Sequence, residues 1–154
     1  MSFAIKKVGP SGLQDALKVR INVFVDEQGV EPELELDNYD KTALHWIAYT
    51  EANEPVGVVR LVIIESELFG QIGRQGKLGR LAVIKSYRGM GLAKKLVLEL
   101  ENSLTEEKVD NIILHSQHDK QGFYERLGYI RTYPEEEPFM EDGILHVKMH
   151  KKME

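Results

Sequence analysis

Residues 88–93, Arg88-Gly89-Met90-Gly91-Leu92-Ala93, follow an apolar strand-like segment and open a strongly amphipathic one. A helix begun there presents first-turn amide hydrogens that lack internal partners, and these amides, with the helix dipole, can hold phosphate oxygens. Gly89 and Gly91 let the backbone approach a diphosphate with no side chain in the way. Arg88 adds positive charge, Ala93 is small enough for close packing, and Lys94 and Lys95 extend toward a more distant phosphate. From the residues alone two readings stay open: a phosphate site, or a turn that glycine tightens for structural reasons. No Gly-Lys-Ser/Thr triplet follows, so this is not a P-loop. Lys94 occupies the place of the third small residue in the dinucleotide fingerprint.

Other residues could move protons. His45 and His146 fall on expected strands, and each is either a proton acceptor near neutral pH or a satisfied structural histidine. Glu27 and Glu31 could bind an incoming ammonium or relay its proton through water; a solvated helix end is the simpler alternative. They belong to residues 26–40, which hold Asp26, Glu27, Glu31, Glu33, Glu35, Asp37 and Asp40 and no lysine or arginine. That run is either a solvated loop or short helix, or an acidic rim beside a cleft that attracts a cationic substrate. His115 and His118 stand three apart with no convincing third ligand, so no metal is expected. The absence of cysteine excludes disulfides, thiolate metal sites and a cysteine nucleophile.

These groups need a scaffold. A chain of 154 residues fits one domain, residues 1–154. The net charge of -5 comes without a basic stripe, which argues against nucleic acid. No long apolar run suggests a membrane span, and the start lacks an export signal, so the cytoplasm is the default expectation. The spacing predicts strands at residues 4–8, 44–50, 56–64, 78–83, 112–115, 129–133 and 144–149. Residues 65–77, with three glycines, read as a mobile loop, and residues 134–143 as an exposed acidic connection. Ser11 and Gln14 suggest a capping box for a first helix whose Leu13, Leu17, Ile21 and Phe24 face the core. Leu92, Leu96, Leu100 and Leu104 mark the clearest helix, and a further one is expected over residues 120–127. The order strand, helix, strand implies a parallel crossover. The fold class is α/β: a mixed central sheet with helices on both faces.

Arg88-x-x-Gly91-x-Ala93 resembles the coenzyme motif Gln/Arg-x-x-Gly-x-Gly/Ala of the Gcn5-related N-acetyltransferase (GNAT) superfamily. Residues 79–83 are similar to its central strand, and Phe123-Tyr124-Glu125-Arg126-Leu127-Gly128-Tyr129 to its helix-to-strand junction. The segment from Arg20 to Val30, with Asp37, Asp40 and His45, resembles bacterial ElaA- and YjcF-like members, and residues 143–149 resemble the YjcF-like final strand. The resemblance implies splayed parallel strands and acetyl-CoA as cosubstrate. It puts Leu81, Ala82 and Val83 beside the pantetheine arm, Arg88 to Ala93 at the diphosphate, and Gln117 and Phe123 near coenzyme. It implies Tyr124 as the acid facing the sulfur, and His146 fits the narrower pattern; His146 and His45 are the candidate bases, with water as the alternative, and Glu27, Glu31 and His146 are candidates beside the acceptor. The acceptor would be a small-molecule or peptide amine. A non-catalytic acetyl-CoA sensor and a different acyl group stay open, and a homodimer is compatible with the resemblance.

Overall fold

The computed structural model describes residues 2–32, 37–104 and 106–153. Its eight strands belong to one mixed sheet. The chain forms two compact units, Met1–Val62 with Arg80–Glu107, and Ile63–Gly79 with Lys108–Glu154. Strands β3 (Pro55–Leu68) and β4 (Gln71–Val83) each run through both.

In the first unit, β1 (Ala4–Val8), β2 (Leu44–Tyr49) and β3 pair antiparallel in sequence order. Successive residues of β2 point to opposite faces, and helices cover both. On one face Ile47 and Tyr49 pack with Ala16, Val19 and Val23, and the Tyr49 hydroxyl donates to Asp15 at 2.7 Å. The first three of those partners span α1 (Leu13–Arg20) and the π-helical turn Ile21–Glu27 that continues it. On the other, Trp46 Nε1 donates to the Ser103 hydroxyl at 2.6 Å, just beyond α2 (Leu92–Asn102). Gly57 of β3 lies under α2, where a Cβ would come within 3.0 Å of Leu96, so its missing side chain sets how closely the helix seats.

The first helix departs from the sequence expectation. Pro10–Gly12 form a 3-10 turn, α1 starts at Leu13, and its N-cap is Gly12, without a side-chain cap; Ser11 and Gln14 form no capping box. The buried stripe is Ala16, Val19, Arg20 and Val23, while Leu13, Leu17 and Phe24 are half-buried and Ile21 is exposed. An arginine sets this rotation. Arg20 is fully buried and grips Asp40 with Nη1 to Oδ1 at 2.7 Å and Nη2 to Oδ2 at 3.1 Å.

The acidic run is likewise not a rim at its far end. Asp37 caps the 3-10 turn Asn38–Lys41 in a capping box with Asp40. Arg60 Nη1 reaches Asp37 at 2.8 Å and Asp40 at 3.1 Å, and Arg80 Nη2 reaches Asp37 at 3.3 Å. The arginines come from α1, β3 and β4, which a local charge count cannot show. Burial alone would raise the Asp40 pKa, but the Arg20 hydrogen bond, the Asp37 amide and the two arginine charges hold it well below the carboxylate range. Asp40→Asn leaves buried arginine charge uncompensated, and we expect it to destabilise the protein by about 3–5 kcal/mol at pH 7. Because the folded pKa is depressed, this stabilisation is complete above about pH 4, the unfolded value, and is lost as pH falls toward the folded one. Urea titrations of wild type and D40N should therefore diverge at neutral pH and converge in strong acid.

In the second unit, β4 and β5 (Asn111–Gln117) pair parallel from Gln75↔Asn111 to Leu78↔Leu114, as the crossover predicts. Beyond those pairs β4 runs on to Val83 and β5 to Gln117. β8 (Ile144–Lys152) pairs antiparallel with β5, and its other edge carries β6 (Ile130–Arg131) and β7 (Phe139–Glu141). Helix α3 (Gln121–Arg126) ends short of Gly128, which sits at φ +98°.

Two sequence expectations fail here. Residues 65–77 are not a loop: they complete β3 and begin β4, joined by Phe69 and Gly70 at φ +53° and +80°, the two positive angles of a tight I′ hairpin. Residues 134–143 are not simply a connection, because they contain β7, turned back by Asp142 and Gly143 at φ +52° and +78°.

Candidate active site

The glycine-rich turn lies wholly in the first unit. β4 ends at Val83, Lys85–Tyr87 make one 3-10 turn, and α2 begins on Gly91. Gly91 is left-handed at φ +74° and gives the helix no side-chain cap. Gly89 is at φ +83°, and a Cβ built on either glycine meets nothing within 4 Å. Gly89, Met90 and Gly91 are exposed, while Leu92 is buried, anchoring the helix start, and Ala93 is half-buried. With Gly89 to Gly91 exposed and no side-chain cap on the helix, the first amides of α2 lack intrahelical partners and can take up an anion that arrives at the turn.

Arg88 is committed. Its Nε donates to the Val83 carbonyl at 2.8 Å, and its two terminal nitrogens donate to Glu27 at 2.7 and 2.6 Å. That fork ties the end of the π-helical turn to the glycine turn and raises the Arg88 pKa through the Glu27 hydrogen bond. Glu27 is therefore not a free carboxylate for an ammonium. Glu31 is exposed, and Glu33 and Glu35 lie outside the described residues. Leu81 is half-buried and Ala82 and Val83 are buried on β4; just before them Arg80 takes φ +55°, its guanidinium held by Asp37.

The structure does not favour His45 as a base. It is fully enclosed on β2 near Arg20, Asp40 and Arg60, and neither ring nitrogen has a hydrogen-bond partner among the described residues. Burial first, then the Arg20 charge, pushes its pKa down. It presents no exposed surface to a substrate amine.

The remaining residues lie in the second unit. Tyr124 is buried on α3, edge-on to Phe123 at 5.0 Å and to Tyr129 at 5.9 Å. Burial raises its pKa far above that of a free phenol, so it holds its proton at any physiological pH. Gln117 ends β5 directly opposite His146 of β8. His146 is buried, with Nδ1 2.7 Å from the Ile144 carbonyl. A carbonyl oxygen only accepts, so Nδ1 carries the hydrogen and Nε2 is left with its lone pair. His118 is exposed.

Glu141 is the residue that sequence reasoning missed. β7 brings it to His115, whose Nδ1 donates to its Oε1 at 2.9 Å, and its Oε2 lies 3.8 Å from His146 Nε2. The Asp142-Gly143 pair was the available signal, since Asp-Gly between apolar residues marks a hairpin turn. That hairpin fixes which face Glu141 occupies.

The sequence profile of the family described as "Acetyltransferase (GNAT) domain" matches residues 12–153. The chain is 41% identical over 152 residues to a Bacillus subtilis (strain 168) protein named only provisionally as an acetyltransferase, covering 96% of this chain and 95% of that one. It is 34% identical over 139 residues to the B. subtilis "Uncharacterized N-acetyltransferase YjcF", covering 90% and 91%. The crystal structure of Escherichia coli ElaA superposes with a TM-score of 0.80 at 24% identity, covering 98% of this chain and 100% of that one. The glycine turn at the head of α2, the mixed sheet and these matches agree: the chain belongs to the GNAT superfamily, beside its YjcF-like bacterial members, shares its fold with ElaA, and is an acetyl-CoA-using acetyltransferase.

Proposed function

We propose that the enzyme moves the acetyl group of acetyl-CoA directly to a primary amine, on a small molecule or a peptide, through a tetrahedral intermediate. The observation that carries this reading is the uncapped start of α2, left-handed at Gly91 and open to solvent. The diphosphate takes the amides of residues 89–93, with Arg88 held at their edge by Glu27. The pantetheine arm follows the backbone of Leu81, Ala82 and Val83, and Gln117 and Phe123 flank the coenzyme.

The amine attacks as a free base, because an ammonium has no lone pair. The carbonyl carbon becomes tetrahedral, and collapse breaks the C–S bond with the electron pair leaving on sulfur. Tyr124, kept protonated by burial, donates to that sulfur. His146, with its Nε2 lone pair free, is the proton acceptor. A chain without cysteine has no thiol to carry an acyl-enzyme, which suits direct transfer.

Incubation with acetyl-CoA and a panel of primary amines, followed by mass spectrometry, tests the proposal. One amine should gain one acetyl group for each CoA released, and the protein mass should stay unchanged. Coenzyme binding with no acetylated product from any amine would instead mark a sensor.

A further inference from the structure

Glu141 lies between two histidines, and only one of them gives it a proton to accept. His115 donates from Nδ1. His146 spends its only neutral-state hydrogen on the Ile144 carbonyl and so presents a lone pair toward Glu141 Oε2, 3.8 Å away. Two acceptors facing each other repel unless a donor stands between them. Registers place these groups on one face: Gln117 and Phe139 both pair with His146, Glu141 pairs with Ile144, and Lys77 pairs with Ile113, two residues before His115. Phe139 stacks on the His146 ring at 6.1 Å and meets the His115 ring edge-on at 5.1 Å, walling the group with an aromatic surface. Glu141 keeps 38% of its side chain exposed, whereas His146 keeps 9%, so a ligand reaches the carboxylate from solvent and meets the imidazole behind it.

We propose that Glu141 Oε2 and His146 Nε2 together seat the acceptor's ammonium, with His115 as the positioning residue that fixes the carboxylate. This rests on the amine acceptor proposed above and supplies its binding group. A primary ammonium has three hydrogens, enough for both acceptors at once. In the transfer that follows, one N–H bond of the ammonium breaks and its electron pair stays on the amine nitrogen. The proton forms an Nε2–H bond on His146, and the imidazolium is then balanced by Glu141. The released amine is the nucleophile. Titratable groups facing Glu141 are His115 on β5, His146 on β8 and Lys77 on β4. The His115 hydrogen bond, against the opposing pull of burial and with the charges of all three, holds its pKa below the ordinary glutamate value, so it is ionised when an ammonium arrives. Among the described residues no three His, Asp or Glu side chains are arranged to hold a metal, so an organic cation is the ligand this chemistry fits.

The test uses the full chain and n-butylammonium as probe, with tetramethylammonium, which has no N–H, as control. Nitrogen-15 NMR of the histidine rings should show His146 protonated at Nδ1 and its Nε2 signal shifting with n-butylammonium alone. E141Q should lose that response, and its kcat/KM for an accepted amine should fall about 30- to 100-fold with acetyl-CoA affinity unchanged. H115A should lose about tenfold, and H115N, whose amide can donate in place of Nδ1, should recover most of it. An unaltered kcat/KM in folded E141Q, or an equal Nε2 shift with tetramethylammonium, would overturn the assignment while leaving acetyl transfer intact. An Nε2 response to n-butylammonium that E141Q loses, in a protein that acetylates no amine, would keep the ammonium seat and remove the transfer reading.

Discussion

Gly91→Leu should abolish measurable acetyl-CoA binding in a protein that still folds. The two halves of that expectation have separate causes. Folding survives because a Cβ at this position meets nothing within 4 Å, so the cost is the left-handed backbone at φ +74°. An L-residue there costs about 1–2 kcal/mol, which lowers Tm by about 2–8 °C in a chain of this size. Binding fails because, on the proposed site, the leucine side chain stands in the space the diphosphate takes at the first amides of α2. Each hydrogen bond to a charged oxygen contributes about 1.5–3 kcal/mol, so losing two raises Kd at least about 100-fold. Gly91→Ala separates strain from obstruction: it carries the same backbone cost but only one added carbon, and about a tenfold loss is expected. Calorimetric titration with acetyl-CoA, paired with thermal melts, reads both effects. A folded G91L that binds as wild type does would remove the turn from the coenzyme site.

Tyr124→Phe should behave in the opposite way, with coenzyme affinity unchanged and kcat lowered about 100-fold. The ring contacts to Phe123 and Tyr129 persist in phenylalanine, so packing is kept. What disappears, on the proposed mechanism, is the proton donor to the leaving thiolate. Burial raises the phenol's pKa, so its proton stays on as pH rises, and no loss of kcat below about pH 10 should trace to its ionisation. Pre-steady-state measurement of CoA release distinguishes slowed chemistry from slowed product release. A Y124F enzyme with undiminished turnover would show that another group or water protonates the sulfur.

What the sequence made readable was local. Leu92, Leu96 and Leu100 repeat every helical turn, and all three are buried on α2. Gly91 sits at the helix start because its left-handed angle suits the residue type, and the parallel β4–β5 pairing follows from strand, helix, strand order. Strands with one wet face were harder. Residues 65–77 carry apolar side chains only at Leu68, Phe69 and Ile72, and with Gly70, Gly73 and Gly76 among polar residues no period-two pattern announces the hairpin. Phe69 gave no turn signal, since a bulky residue rarely takes positive φ. The phase of α1 was misread because its buried stripe contains Arg20, which any hydrophobicity count assigns to solvent. Its partner Asp40 is distant in sequence, and nothing local announces the pair. Within the site, Arg88 alone suggests a phosphate ligand and Glu27 alone an acceptor ligand, whereas the structure pairs them with each other. Glu141 went unnoticed for the same reason: its role arises from what β7 places beside it.

The amides at the head of α2 can be observed one by one. Proton–nitrogen NMR of the wild-type protein, titrated with acetyl-CoA, should move the amide protons of Gly91, Leu92 and Ala93 downfield as they take up phosphate oxygens, saturating together with the bound coenzyme. Saturation of the coenzyme with those three resonances unmoved would place the diphosphate elsewhere and contradict the account at its base.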